Sequence, residues 1–164
     1  LYRRGEIVLP AAETGAVLYQ ITAEEAARFG LLAYEVSNYA KPGLEAIHNS
    51  AYWRAVPFIG LGPSAHGFDG RRRRWNAREL TRWAELLRSG RDPMEGDELI
   101  GPAQAAAERV YLGLRTTAGL QATEDEFRRA SRYVGEGWAT RRQDRLVLTP
   151  AGWLRLDALA TSLT

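Results

Sequence analysis

Apolar residues return along the first third of the chain at two alternating periods. Over 11–29, Val17, Leu18, Ile21 and Phe29 recur at roughly helical spacing, and Gly30 stands where a left-handed residue closes a helix. The spacing predicts a helix there. The next run, Leu31-Leu32-Ala33-Tyr34-Glu35-Val36, is short, apolar and bounded by Ser37-Asn38, which suits a buried strand. Helix, glycine and strand make one step of an α/β layer. After the turn signal Lys41-Pro42-Gly43, a second apolar run, Pro57 to Leu61, predicts another strand. It feeds the glycine-bearing loop Gly62-Pro63-Ser64-Ala65-His66-Gly67.

Beyond this loop the periods become mainly helical. Asn76 is a candidate N-cap for a helix over 77–88, with Leu80, Trp83, Leu86 and Leu87 on its apolar side and Ser89-Gly90 as its stop. From Pro102 to Arg115 helix formers dominate, and Ala106, Val110 and Leu114 share a face. The tail predicts a helix from Thr123 to Ser131 opened by the capping-box pair Thr123 and Glu126. A hairpin follows, turning near Gln143-Asp144 with a strand over Arg145 to Leu148, and then a final helix capped by Thr149-Pro150. The expected organisation is therefore an α/β segment over 1–76, a helical connection over 77–122 and a small winged-helix-like unit over 123–164.

Composition narrows what these elements can do. Of the 164 residues 45% are hydrophobic and 26% charged, and no apolar run approaches the roughly 18 residues of a membrane span, so a soluble globular protein is expected. Basic and acidic groups number 22 and 20, giving a formal charge of +2 that does not segregate along the chain. A bulk polyanion partner is not implied. There is no cysteine, which removes disulfides, thiolate zinc sites, cysteine nucleophiles and any iron–sulfur cluster ligated from within this sequence. The chain opens at Leu1 without a signal-peptide pattern and its one methionine is Met94; the expectation is that it starts within a longer polypeptide.

Only two histidines exist, His48 and His66, and both are expected in loops beside short strands, where α/β folds bind ligands. The plain alternative is that each ring caps a loop or satisfies a carbonyl. His48 opens His48-Asn49-Ser50-Ala51-Tyr52-Trp53, an imidazole, an amide and two large aromatic rings within six residues. Histidine is a common axial ligand of heme iron and a flat macrocycle gains by lying on aromatic surface, so this mixture suits a porphyrin. Gly60, Gly62 and Gly67 would let a backbone approach a small cofactor closely, or would simply make a tight turn. Arg71 to Arg74 offer guanidinium groups to phosphates or propionates, but an extended run alternates faces and reads first as a solvated strand. The winged-helix-like tail raises a nucleic-acid alternative. Its final helix carries one base, Arg155, and a packing face of Trp153, Leu154, Leu156, Leu159 and Leu163, so no nucleic-acid partner is expected.

Taken in order, Tyr34-Glu35-Val36-Ser37-Asn38-Tyr39-Ala40-Lys41-Pro42-Gly43, then His48-Asn49-x-x-Tyr52-Trp53, then Gly60-Leu61-Gly62-Pro63-Ser64-Ala65-His66-Gly67 resemble the consecutive signature of HemW-type proteins. These are heme chaperones related to oxygen-independent coproporphyrinogen III oxidase. The resemblance covers most of the chain, more loosely after residue 70. It implies the last strands and helix of an incomplete radical-SAM (β/α) barrel over 1–76, followed by the family's C-terminal domain. It also implies heme as cargo, client hemoproteins as partners and a cytoplasmic location. His48 would ligate the heme iron, with Asn49 and Tyr52 bonding around it and Trp53 giving apolar contact. Gly60, Gly62, His66 and Gly67 would lie at the edge of an S-adenosylmethionine site. The [4Fe-4S] cluster of full-length members needs a CxxxCxxC loop that this chain does not contain. The enzyme alternative is a fragment of the oxidase itself, in porphyrin biosynthesis; the HNxxYW block argues for the chaperone.

Overall fold

A computed structural model describes Gly5, Val8 and residues 10–164. The first element is α1 (Ala12–Arg28), and its close follows from Gly30 at φ +71°. There Gly30 N–H donates to Ala27 O and Leu31 N–H to Ala26 O, the paired bonds of a left-handed helix close. Strand β1 (Leu32–Glu35) forms where a buried strand is expected, but only Glu35 is buried and Leu32 is half exposed, and the chain turns straight back into β2 (Asn38–Ala40) as an antiparallel hairpin. Every strand pairing among the described residues is antiparallel, so the parallel layer expected from the helix–strand step is not formed within them. The reason is local: the Glu35 carboxylate accepts from Ser37 N–H at 2.9 Å and Asn38 Nδ2 at 2.5 Å and so ties the turn.

Helix α2 (Ile47–Trp53) corrects the loop expected around His48. No proline or glycine lies between Leu44 and Val56, so nothing breaks the helical ladder. The strand expected over 57–61 does not form either. Pro57 has no N–H to donate and Gly60 packs on the backbone of His66, which leaves one bridge, Phe58 with Phe68.

The second sheet contains β3 (His66–Phe68), β4 (Arg72–Asn76) and, after α3 (Leu80–Arg88), β5 (Met94–Leu99), in the order β3-β4-β5. Asn76 is not an N-cap. It is buried at the end of β4 and its Nδ2 donates to Gly62 O at 2.9 Å, while α3 starts at Leu80 without a side-chain cap. The arginine run is likewise corrected from a solvated strand to a cross-linked one. Arg72 pairs with Asp97, Arg73 with Glu98 at 2.8 Å and Glu108 at 3.0 Å, and Arg74 with Asp92 at 2.5 Å. Strand β5 supplies two of those carboxylates, since its register sets Asp97 opposite Arg74 and Glu98 opposite Arg73.

Helix α4 (Pro102–Leu114) carries proline at its start, where a missing N–H costs nothing. The remainder is β6 (Leu120–Gln121), α5 (Glu124–Arg129), α6 (Ser131–Gly135), β7 (Ala139–Arg142), β8 (Arg145–Leu148), α7 (Pro150–Trp153) and α8 (Leu156–Leu163). The capping box forms as the sequence predicts, with Glu126 N–H donating to Thr123 Oγ1 and Thr123 N–H to the Glu126 carboxylate. The single final helix does not form, because Arg155 leaves helical geometry and splits it. Strand order is β6-β8-β7. The core lies here: Val110 and Leu114 of α4 meet Leu120, Leu146, Leu159 and Trp153, each worth roughly 1.5–3 kcal/mol when fully removed from water. Trp153 Nε1 donates to Leu114 O at 3.0 Å, so the buried indole is satisfied. Tyr19, Ala33 and Val36 pack against this core from the N-terminal elements.

Candidate functional site

Helical spacing decides how the HNxxYW residues share space. His48 and Tyr52, four apart, lie on one face of α2, and Asn49 and Trp53 on the neighbouring one. The His48 ring is exposed, and its Nε2 is 2.9 Å from the Tyr52 hydroxyl, the imidazole tautomer deciding which group donates. Their rings meet edge to face at 4.8 Å. Tyr52 in turn meets Phe58 edge to face at 4.6 Å, and Phe58 lies 6.4 Å from Phe68. A string of four rings therefore runs from His48 to β3. Trp53 faces elsewhere: the Arg115 guanidinium sits 4.3 Å from its ring centre. Asn49 is half-buried and makes no side-chain hydrogen bond among the described residues. A cavity of about 470 Å³ opens between α2 and α4, lined by Tyr52, Trp53, Arg73, Glu108 and Tyr111 among others.

The glycine-bearing segment is partly closed by the chain itself. A Cβ on Gly60 would stand 2.2 Å from His66 O, so the space that glycine frees is filled by backbone. Gly62, at φ +104°, has nothing within 4 Å and keeps an open side. Gly60, Gly62 and Gly67 all border an apolar cavity of about 840 Å³ with Phe58, Ile59 and Trp83. His66 does not join them. It is exposed, pairs across the strand with Trp75, and lies 5.9 Å from that ring.

Two residues of weight escaped the sequence reading of the site. Glu35 is fully buried, and its Oε2 is 3.0 Å from Arg115 Nε, an ion pair whose N–H is not aligned for a hydrogen bond. The signal for Glu35 was a lone carboxylate inside an apolar strand run, which must find a partner. Arg115, eighty residues further on, gave no local signal. Two tyrosines feel this centre. Burial raises the Tyr19 phenol to about 12, helped by Tyr39 and Glu35, while its hydroxyl donates to Val36 O at 3.0 Å. Burial and the Glu35 charge raise Tyr39 in the same direction.

The donor chemistry discriminates among the implied groups. A single exposed imidazole beside aromatic rings fits a residue that would hold heme iron, and among the described residues no cluster of three His, Cys, Asp or Glu offers a caged metal instead. His48 would hold the iron through the ring nitrogen that the Tyr52 hydroxyl does not engage. An iron–sulfur cluster does not fit, for want of any cysteine. For S-adenosylmethionine only the open face at Gly62 fits a close approach. Among the described residues no helix is long and apolar enough to cross a membrane.

The mixed α/β arrangement matches that of a radical SAM enzyme, the coproporphyrinogen III oxidase HemN of Escherichia coli. The TM-score is 0.66 over 94% of this chain and 42% of that one, at 12% identity, a likeness of fold. No family model matches the chain. By sequence it is 35% identical over 164 residues to a protein of Mycobacterium tuberculosis named heme chaperone HemW. That match takes in 98% of this chain. Relatives of the same name in Bacillus subtilis and Synechocystis are 32% and 36% identical over 73% and 72% of the chain. The chain is thus a homologue of the HemW proteins and corresponds to their C-terminal part. It spans 42% of the length of the Mycobacterium relatives.

Proposed function

We propose that this chain is the heme-handling portion of a HemW-like protein of the radical SAM family, which binds heme through His48 and passes it to client hemoproteins. The observation that carries the reading is the exposed His48 imidazole, backed by the Tyr52 hydroxyl at 2.9 Å and a chain of aromatic rings. Exposure suits a carrier, which must release its cargo to another protein. Tyr52 supplies aromatic surface beside the imidazole for the macrocycle, while Trp53, whose ring is covered by the Arg115 guanidinium, supports α2 from its other side; Asn49, with no partner of its own among the described residues, is free to bond at the macrocycle's rim. In the parent protein an iron–sulfur cluster and S-adenosylmethionine would belong to the remaining length; of the residues expected at the S-adenosylmethionine edge, Gly62 keeps an open face for it, whereas the space at Gly60 is filled by the backbone of His66.

The domain reading follows the same lines: 1–76 as the end of the barrel, 77–122 as the connection and 123–164 as a winged-helix-like domain. The helix–helix–hairpin order α5, α6, β7, β8 supports the last of these, with β6 of the preceding segment completing its sheet. Nucleic-acid binding through that domain is disfavoured, since Arg128 and Arg129 both pair with Asp125 and Arg141 with Glu124.

Hemin titration of the protein tests the proposal. A Soret band that shifts or weakens in His48→Ala is expected; identical spectra and affinity in the variant remove His48 from the site.

A further inference from the structure

Three stretches of chain that are far apart in sequence meet at one buried ion pair. The β1–β2 turn provides Glu35, wholly excluded from solvent, whose carboxylate already holds Ser37 N–H and Asn38 Nδ2. The end of α4 provides Arg115, whose Nε lies 3.0 Å from Glu35 Oε2 and whose guanidinium also donates to Ser37 Oγ at 3.3 Å. The end of α2 provides the Trp53 ring, 4.3 Å from that same guanidinium. Main-chain bonds pin the junction further: Val36 N–H donates to Arg115 O at 3.0 Å and Thr117 N–H to Tyr34 O at 3.1 Å.

Helix α2 is held at two points, the Tyr52 ring on Phe58 and the Trp53 ring under Arg115. It has seven residues, no side-chain cap at its start and no fully buried residue. A cation lying on an aromatic face is directional, because the ring's negative face attracts charge along its normal. A guanidinium held by a buried carboxylate can therefore set the rotation of Trp53. Trp53 adjoins Tyr52, whose hydroxyl meets His48. We propose that Arg115 is a positioning residue: clamped by Glu35 on one side and lying on Trp53 on the other, it sets the orientation of α2 and hence the direction in which His48 is presented. The junction is also tied to the C-terminal core through Leu114, whose carbonyl accepts from Trp153 Nε1. Docking of that core and presentation of the imidazole are by this route one event. The consequence for ligand affinity rests on the heme reading above; the orientation of α2 does not.

The test uses the full chain and a readout that needs no heme. Imidazole resonances of His48 and His66 are recorded at one fixed pH in the parent, in Arg115→Lys and in Glu35→Gln/Arg115→Met. The lysine keeps the charge without the planar face, and the double variant removes both charges so that neither is left buried alone. The His48 signals are expected to move in either variant that folds while those of His66 stay. Hemin affinity is expected to fall about tenfold in the same variant, the low end for losing support of a metal-ligating histidine. Unmoved His48 signals in a folded variant lacking the guanidinium overturn the proposal. Moved signals with hemin affinity unchanged leave Arg115 as the positioning residue and overturn His48 as the heme ligand instead.

Discussion

Replacing Gly60 by alanine separates two explanations for a glycine in a ligand-like loop. A Cβ at this position would lie 2.2 Å from His66 O, 2.5 Å from His66 C and 3.0 Å from Ala65 C. A carbon rests comfortably against a carbonyl oxygen at about 3.3 Å or more, so one of the two backbones must retreat by roughly 1 Å. Neither is free to do so. Phe58 and Phe68 exchange backbone bonds of 2.8 and 2.9 Å on one side of the contact, and Asn76 holds Gly62 O at 2.9 Å and Ala65 O at 3.0 Å on the other. Overpacking costs about 1–3 kcal/mol and one strained hydrogen bond about 1 more, so Gly60→Ala should lose roughly 2–4 kcal/mol. Urea unfolding measures this as a lower midpoint at unchanged slope. Gly62→Ala is the control, since its penalty comes from φ +104° with no atom in the way. A Gly60→Ala protein within about 0.5 kcal/mol of the parent, the range of an ordinary surface change, would refute the packing argument. The glycine would then call for a ligand to explain it.

Further outcomes follow from other parts of the fold. The Tyr19 phenol, raised from 10.0 to about 12 chiefly by burial, adds stability that is complete below pH 10 and is lost as pH rises through its folded value. Tyrosinate absorbance should show one phenol ionising near 12 that disappears in Tyr19→Phe; a titration complete by pH 10.5 contradicts the burial. Thr123→Ala should cost about 1 kcal/mol by removing the acceptor for Glu126 N–H, with Thr123→Ser restoring most of it in thermal melts. A double-mutant cycle on Arg73 and Glu108 should give a coupling of about 0.5–1 kcal/mol, discounted because each side chain is about one-third exposed. No coupling would leave the α4–β4 ion pair without energetic weight.

What the sequence disclosed depends on how far away the deciding partner lies. The bounds of α1, α4 and the β7–β8 hairpin were legible because glycine, proline and period act within a few residues, and the Thr123–Glu126 capping box was legible for the same reason. The sequence places His48 in the loop between the Lys41-Pro42-Gly43 turn signal and the apolar run that begins at Pro57; seven residues with no breaker are enough for a helix there. The fate of the arginine run was not legible. Asp92, Asp97, Glu98 and Glu108 lie 18 to 35 residues further on, and β5, which brings two of them into register, contains the glycine and acidic residues that count against a strand. At the site, the His48–Tyr52 contact follows from their four-residue spacing once the segment is helical, whereas Trp53 turns to another neighbour. The Arg115 contact with Trp53 is not legible, because only the fold brings position 115 to position 53.

The distribution of burial makes a last claim about where the structure is held together. The thirteen residues of the apolar cluster all lie between Val110 and Leu163, whereas α1 buries none of its seventeen residues and leaves Val17, Leu18 and Ile21 about half exposed. The N-terminal elements reach that cluster through Tyr19, Ala33 and Val36 and through the Glu35–Arg115 pair. Local opening of α1 therefore sacrifices the Tyr19 contact and half-exposed packing on β1 and α7, while opening of β8 or α8 sacrifices the core itself. Native-state hydrogen exchange should place the slowest amides in α4, β8 and α8. The β1–β2 hairpin should be intermediate, and α1 should open at a cost at least about 2 kcal/mol below the global value, which is a factor of roughly 30 in rate. Exchange from α1 as slow as from α8 would mean that the N-terminal helix is held by contacts equal to those of the core. The assignment of stability to residues 110–163 would then fail.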